Sequence, residues 1–492
     1  MWRYLAIISL AGIWAAIALS GGFFLSSLIG LKHVSFRERL VISFALGVLA
    51  WGLLIVAVGL VGVLGKVTFF AIPLLMFGVG GIPLVRALRR ARRLRARLQT
   101  TPLSLLAQVF AVFGLISVAI IYFKLLTPQN ATYDARWYHL PMAEQYAVTG
   151  HVFRFDEGWF NGAMPHFASY LSTWAFLSPF GELFDRITLV AHLEFVLFVA
   201  TLLSIPVLVD RLLPRPRLAS AWVARFLFPG VMLYDSSLGS GADHALAFWG
   251  IPLFLALLRF WRRSTMTHGV LLGAFAGAAE ATKYHSFFLL TGPALAVAAR
   301  MVFSLVRPKR RDFLQPALLA GAIALAVSSP HWLLNSIWHH NPVYPYLANV
   351  FASQPMVEGI EPRITEADWQ PKGTLPEKLK QTLQGTATFG LVAHDWEPLH
   401  GRRPVFGSLF LVAMALLLFV ARRGPLFGLG LAAWAGVPLW FWSQHQDRYL
   451  QAIAPWCSVF VIVILVGVWR RFVLARPVVT ALVAFQVLHA IA

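Results

Sequence analysis

The chain has 492 residues, 58% of them from the AVILMFWYC set and only 13% Asp, Glu, Lys or Arg. Soluble domains hold roughly 45–50% apolar residues even with glycine counted, so this composition argues against a water-soluble fold. The formal charge of +20 does not point to nucleic acid either, because the basic residues fall in short clusters between apolar spans and not along one stripe; anionic lipid headgroups are the expected counter-charge.

In chain order, fourteen apolar segments are expected, near 4–31, 40–64, 67–84, 103–123, 187–209, 218–234, 244–261, 268–282, 286–304, 314–334, 405–421, 425–442, 451–469 and 477–492. Several approach or exceed the roughly 20 residues that cross a bilayer as helix. The expected fold class is therefore all-α, a polytopic transmembrane helix bundle. The first segment, Trp2 to Leu31, is too long for a cleaved signal peptide and reads as a spanning helix. The last reaches Ala492 without a polar tail, so either the chain stops in the membrane or a longer protein continues it. Two polar loops, 124–186 and 335–404, separate amino-terminal helices (1–123), central helices (187–334) and carboxyl-terminal helices (405–492). No repeat or low-complexity linker marks a separate soluble domain.

Charge gives the bundle two unlike faces. If the turn holding Arg86, Arg89, Arg90, Arg92, Arg93, Arg95 and Arg97 is cytoplasmic, alternation puts Arg211, Arg215, Arg217, Arg262, Arg263, Arg307, Lys309, Arg310, Arg311, Arg422, Arg423, Arg470, Arg471 and Arg476 on the same side, as the positive-inside rule asks. Of the 21 acidic residues, only Glu38, Asp210 and Asp312 fall there. The long loops and most of the acids belong to the other face, which is the one expected to do polar work.

Several familiar sites are missing. The segment Gly62 to Lys66, "GVLGK", lacks the spacing that wraps phosphates, and neither HExxH nor CxxC occurs, which argues against ATP-driven transport by this chain alone. The single cysteine, Cys457, rules out a disulfide framework within the chain and reads as a small buried hydrophobe. Gly273 and Gly277 form a GxxxG, which in membranes favours close helix packing.

The first outer loop concentrates Asp134, Arg136, Tyr138, His139, Glu144, Asp156 and Glu157 where the fourth span ends. A carboxylate at the interface, partly desolvated yet reachable, suits a general base. Asp134 suits equally well the N-cap of a helix over Ala135–Thr149, whose apolar side (Trp137, Leu140, Met142, Tyr146) would lie in the headgroup plane. Trp137 and Tyr138 also fit interfacial anchors. Asn130-Ala131-Thr132 matches a glycosylation acceptor pattern and reads as a turn. In the second loop "NPVYPY" marks proline turns, an amphipathic helix is expected over Pro376–Leu383, and His394, Asp395 and Glu397 read as a solvated stretch.

"YDARWYHLPMAEQYAVTG" resembles the first outer loop of bacterial GT-C glycosyltransferases, the polytopic enzymes related to the protein O-mannosyltransferase and aminoarabinose transferase group. Further similar stretches follow in order: "GADHALAFW" (241–249), "EATKYHSFFLL" (280–290), "SSPHWLLNSIWHHNPVYPY" (328–346) and "DRYLQAIAPW" (447–456). Departures occur as well. Leu334 and His340 stand where the family often has arginine and glycine, and Ala135 follows Asp134 where several branches carry a second acid.

The resemblance implies an enzyme of a bacterial inner membrane with its active site facing the periplasm. It would move a sugar from a polyprenyl phosphate to a lipid or glycan acceptor, with no nucleic acid involved. Asp134 would be the catalytic base; Lys283, Arg448, Tyr449, Asp243, His139, Tyr138, His331 and Asn335 would bind substrate, the two cations at the departing phosphate. Direct displacement would invert the anomeric carbon. Read from the residues alone, Lys283 can snorkel to the interface, Arg448 can pair with Asp447 or a headgroup, and Asp243 can cap its helix or help hold a divalent cation. A multi-span transporter or flippase, or a surface-polysaccharide polymerase or ligase, are the competing readings. The paired halves common in transporters are not visible in the sequence.

Overall fold

A computed structural model of the chain describes residues 2–31, 34–95, 105–126, 131–155, 159–213, 239–306, 312–353, 370–392, 394, 407–419 and 424–491. Regular structure among them is entirely helical. The principal helices are α1 (Trp2–Leu28), α2 (Phe36–Val61), α3 (Lys66–Arg95), α4 (Leu105–Phe123), α5 (Leu140–Thr149), α6 (Phe160–Ala163), α7 (Phe167–Phe176) and α8 (Leu183–Leu212). They continue with α9 (Asp243–Arg262), α10 (Met266–Thr282), α11 (Phe287–Val306), α12 (Leu314–His339), α13 (Leu375–Thr388), α14 (Ser408–Leu416), α15 (Pro425–Ser443), α16 (Ala454–Arg471) and α17 (Arg476–Ile491).

Each expected apolar segment coincides with a helix except 218–234, which lies outside the described residues together with Asp156, Glu157, Asp395 and Glu397. Among the described residues nine helices (α1, α2, α3, α8, α9, α11, α12, α15 and α16) are long and apolar enough to cross a membrane, and the apolar parts of α4, α14 and α17 are shorter. The chain is thus a multi-pass membrane protein by length and composition. Its surface agrees: Leu74, Leu115, Ile116, Leu318 and Leu325 each expose more than half their area, as helices apolar all round do when lipid is their solvent.

Close packing rests on small residues, because apolar contact by itself gives helices in lipid little reason to choose one another. Gly269, Gly273 and Gly277 lie four residues apart on α10. A Cβ at any of them would strike the backbone oxygens of Pro316, Ala320 and Ala324 on α12. The expected GxxxG is therefore one turn longer and is a packing seam. Gly22 and Gly47 serve α1 and α2 in the same way.

The most enclosed of the candidate spans is α9. Its Trp249 donates to Thr282 Oγ1 of α10 at 3.0 Å, and Trp456 of α16 donates to its Gly250 carbonyl at 2.7 Å. At its carboxyl end Arg259 meets Glu38 of α2, which also accepts from Arg211 Nε of α8 at 2.7 Å. Nearby, Asp210 pairs with Arg37 at 3.6 Å. The two acids Glu38 and Asp210, expected on the arginine-rich face, are thus each bound by arginine. Cys457 is fully buried, as expected of a small hydrophobe.

Gly273→Leu is expected to cost about 1–3 kcal/mol through overpacking and to lower the thermal midpoint in detergent. Gly428→Leu, where nothing lies within 4 Å of the added carbon, should leave it unchanged. Tryptophan-fluorescence melting of the two variants checks this, and equal midpoints would contradict the seam.

Candidate functional site

Four distant parts of the chain meet at the amino end of α9. The first is the turn after α4. Thr132 Oγ1 accepts from Ala135 N at 3.4 Å, and a π-turn over Ala135–His139 runs into α5. Asp134 has helical dihedrals and makes no cap bond, so the capping reading is overturned; the threonine of the Asn130-Ala131-Thr132 triplet does that work. The carboxylate of Asp134 instead meets Arg448 Nη1 at 2.7 Å. Leu140, Met142 and Tyr146 are buried in the protein core, while Trp137 is exposed against Tyr133. Hence α5 faces α7 and not, as expected, a headgroup layer: its apolar side is matched by the apolar residues of α7, which are buried throughout.

The second part is Asp243, first residue of α9, and the third is Lys283, where α10 ends. Lys283 Nζ donates to Asp243 Oδ1 at 2.6 Å, with little of either side chain exposed. A snorkelling lysine would point to water; this one turns inward because an unpaired buried carboxylate is costly. Capping by Asp243 finds no support, since the capping position is Ala242 and no side-chain bond is made there.

The fourth part is the 3-10 turn Asp447–Ala452 between α15 and α16. Tyr449 lies between the two cations, its ring centroid 4.7 Å from Lys283 Nζ and 5.0 Å from Arg448 Cζ. Its hydroxyl accepts from Arg448 Nη2 at 3.2 Å. Arg448 does not pair with its neighbour Asp447, whose carboxylate accepts from the His394 backbone at 2.8 Å. Two acid–cation pairs thus share one aromatic ring, in the order Asp134–Arg448–Tyr449–Lys283–Asp243.

His139 is buried, with Nδ1 3.1 Å from Ser169 Oγ. Burial and then Lys283 lower its pKa to about 3, so it is a neutral wall and a poor base. Tyr138 packs against it at 4.1 Å between ring centroids, and burial followed by Asp134 raises its hydroxyl well above 10. His166, behind them, accepts or donates at Tyr146 Oη (3.1 Å) and is lowered by burial to about 4.

The remaining two expected binding residues have other partners. His331 Nε2 bonds Tyr284 Oη at 2.9 Å. Asn335 donates to the carbonyls of Ala163 (2.9 Å) and Tyr344 (3.4 Å), so it fastens the α6 turn to "NPVYPY". In that turn the Asn341 side chain accepts from Val343 N at 2.9 Å and donates to Tyr346 O at 2.8 Å. The amphipathic helix of the second loop is longer than expected, Leu375–Thr388, opened by a Thr374/Glu377 capping box.

Two residues at the cluster were not foreseen. His285 stacks on Tyr449 with centroids 3.8 Å apart. Glu194 of α8 is buried, accepts from Ser240 N at 2.6 Å through one oxygen, and has no partner for the other among the described residues. Ser240 takes φ 72° where its amide points at Glu194. Among the described residues no three of His, Cys, Asp and Glu come together to hold a metal ion, and Asp243 spends an oxygen on Lys283, so the divalent-cation expectation finds no ligand set here.

No family model, curated protein or solved structure matches the chain. The resemblance drawn from the motifs therefore bears on function only as a proposal.

Lys283→Met should strand the Asp243 carboxylate and destabilise by about 3 kcal/mol, with Asp243→Asn restoring most of that loss in the double variant; thermal melting checks both, and additive losses would contradict a coupled pair. A pH series tests the histidines. Folded His139 and His166 stay neutral at pH 5, whereas unfolding returns each to an ordinary value near 6.5. The unfolded chain then binds more protons, so stability falls as pH drops from about 6.5 toward 4, by about 2 kcal/mol per histidine at pH 5. The double variant His139→Asn, His166→Asn should melt with a flatter pH dependence than wild type; parallel curves would refute this.

Proposed function

We propose that the chain is a membrane glycosyltransferase of the GT-C type, moving a sugar from a polyprenyl-phosphate donor to a lipid or glycan acceptor. The observation that carries this reading is the meeting of one reachable acid, Asp134, with two cations, Arg448 and Lys283, around a single tyrosine face. Arginine turns facing the cytoplasm would put this cluster at the periplasmic face of a bacterial inner membrane, where nucleotide sugars are generally lacking and lipid-linked sugars take their place.

The acceptor hydroxyl enters beside Asp134 and its oxygen bonds to the anomeric carbon as the carbon–oxygen bond to phosphate breaks. The bonding pair leaves with the phosphate oxygen and the hydroxyl proton passes to Asp134. Arg448 offers the phosphate a fork of donors and Lys283 a compact charge, and such charge stabilisation in a water-poor site is worth a few kcal/mol. One displacement inverts the anomeric centre. Tyr138 and His139 wall the acceptor side, and Tyr449 orients both cations. His331, bonded to Tyr284, and Asn335, bonded to the Ala163 and Tyr344 carbonyls, hold the neighbouring turns.

Purified chain in detergent, given polyprenyl-phosphate sugars and candidate acceptors, is expected to consume donor. Asp134→Asn should cut the rate about 10²–10⁴-fold, the usual worth of a general base. A folded variant that transfers as well as wild type would remove Asp134 from the role. Transbilayer movement of the lipid-linked sugar in vesicles, with no transfer to any acceptor, would replace the enzyme by a flippase.

A further inference from the structure

We infer that a cavity at the far end of α9 binds the phosphate group of an anionic lipid. With 20 residues at 1.5 Å each, α9 carries its last turn about 30 Å from Asp243. The cavity there, about 680 Å³, is lined by Glu38, Arg211, Arg259, Arg262 and Arg263, with Leu258 among its apolar walls. Four arginines against one glutamate leave an excess of three positive charges.

Glu38 organises this lining without cancelling it. The carboxylate is 1% exposed and holds Arg211 by one oxygen and Arg259 by the other, so two guanidiniums are fixed in place on the cavity wall. Arg262 and Arg263 are exposed and meet no acidic side chain among the described residues. Among the described residues their guanidiniums are thus not taken up by an acid, and a guanidinium fork is matched to phosphate oxygens. Thr265, which also lines the cavity, caps the amino end of α10 by accepting from His268 N at 3.3 Å; that helix end adds a positive dipole facing the same space.

The apolar wall decides between two sources of phosphate. A soluble phosphate or pyrophosphate gains nothing from leucine. A glycerophospholipid needs cations at headgroup depth and apolar surface one turn deeper, and Leu255 and Leu258 stand one turn or more before Arg262 on α9. Basic pockets between spans at the end of a bundle are suited to such headgroups. This end carries neither Asp134 nor Asp243, so the lipid site is separate from the transferase cluster and stands whether or not that function holds.

The test uses the full chain, purified and delipidated in detergent, titrated with phosphatidylglycerol, phosphatidylcholine or inorganic pyrophosphate and read by native mass spectrometry and thermal midpoint. Phosphatidylglycerol is expected to bind saturably and raise the midpoint, and phosphatidylcholine is not. R262Q/R263Q should weaken phosphatidylglycerol binding about tenfold or more, with the single variant R263Q moving in the same direction. R86Q/R89Q, an exposed basic pair on α3 that does not line the cavity, should stay within about twofold of wild type. Equal binding of the two lipids, or wild-type affinity in both cavity variants, overturns the site. Saturable pyrophosphate binding without phosphatidylglycerol binding overturns the lipid in favour of a soluble phosphate.

Discussion

A carboxylate that stays ionised while buried among transmembrane helices has no water to turn to, so a cation must be held close to it, and α9 is arranged around that requirement at both ends. Asp243 opens the helix against Lys283 of α10, and Arg259 closes it against Glu38 of α2, with Arg211 of α8 on the same carboxylate. Each partner comes from a different helix. Sliding α9 by one turn, about 5.4 Å, would break both pairs together, whereas apolar side chains in an apolar solvent distinguish poorly between neighbouring registers. The pairs and the glycine seam of α10 on α12 therefore do separate things: the seam sets how close helices come, and the ions set where along one another they stop.

The same requirement shapes the cluster at the amino end. Without substrate both cations are already matched, Arg448 by Asp134 and Lys283 by Asp243. In the proposed reaction a phosphate would have to compete with those carboxylates, and an acceptor hydroxyl to displace Arg448 from Asp134. Entry of the two proposed substrates together would resolve this, because the phosphate would take the guanidinium as the hydroxyl takes the acid. Neutral His139 adds no charge to the exchange, and the Tyr449 ring keeps a favourable face toward both cations while their partners change. In the proposed reaction the resting pairs are thus the reason that neither substrate is well accommodated alone.

Much of this was legible in the sequence, and unevenly. Spans were readable because lipid imposes a length and a composition on helices such as α2 and α8, and their boundaries fell within a few residues of the apolar runs. Asp134, Asp243, Lys283 and Arg448 were readable as charges at the ends of apolar runs, where an ionisable residue needs a reason. Their pairing was not, because nothing local to Arg448 says that its partner is Asp134, more than 300 residues away, and not the adjacent Asp447. The partners of Asn335 were equally hidden: a polar residue at a span end reads as a site, and nothing local shows that its amide donates to two backbone carbonyls. Glu194 lay unnoticed inside an apolar run, its role fixed by the left-handed Ser240 across a turn that has no periodicity to read.

Helix polarity ties the two ends together. The aligned peptide dipoles of α9 put partial positive charge at Asp243 and partial negative charge at Arg259 and Arg262, so an acid in the first turn and arginines in the last are each on the favourable end. The positive-inside preference asks for the same arginines at the same end for a different reason, the charge bias of insertion. Where the two agree, a single helix carries an electrostatic direction across the bundle, with acid–cation pairing at one end and surplus positive charge at the other. Reversing that order by exchanging Asp243 and Arg259 would oppose the dipole at both ends and strand Lys283 and Glu38 against like charges. The order of charges along α9 is thus set by the helix itself, by its neighbours and by the membrane at once.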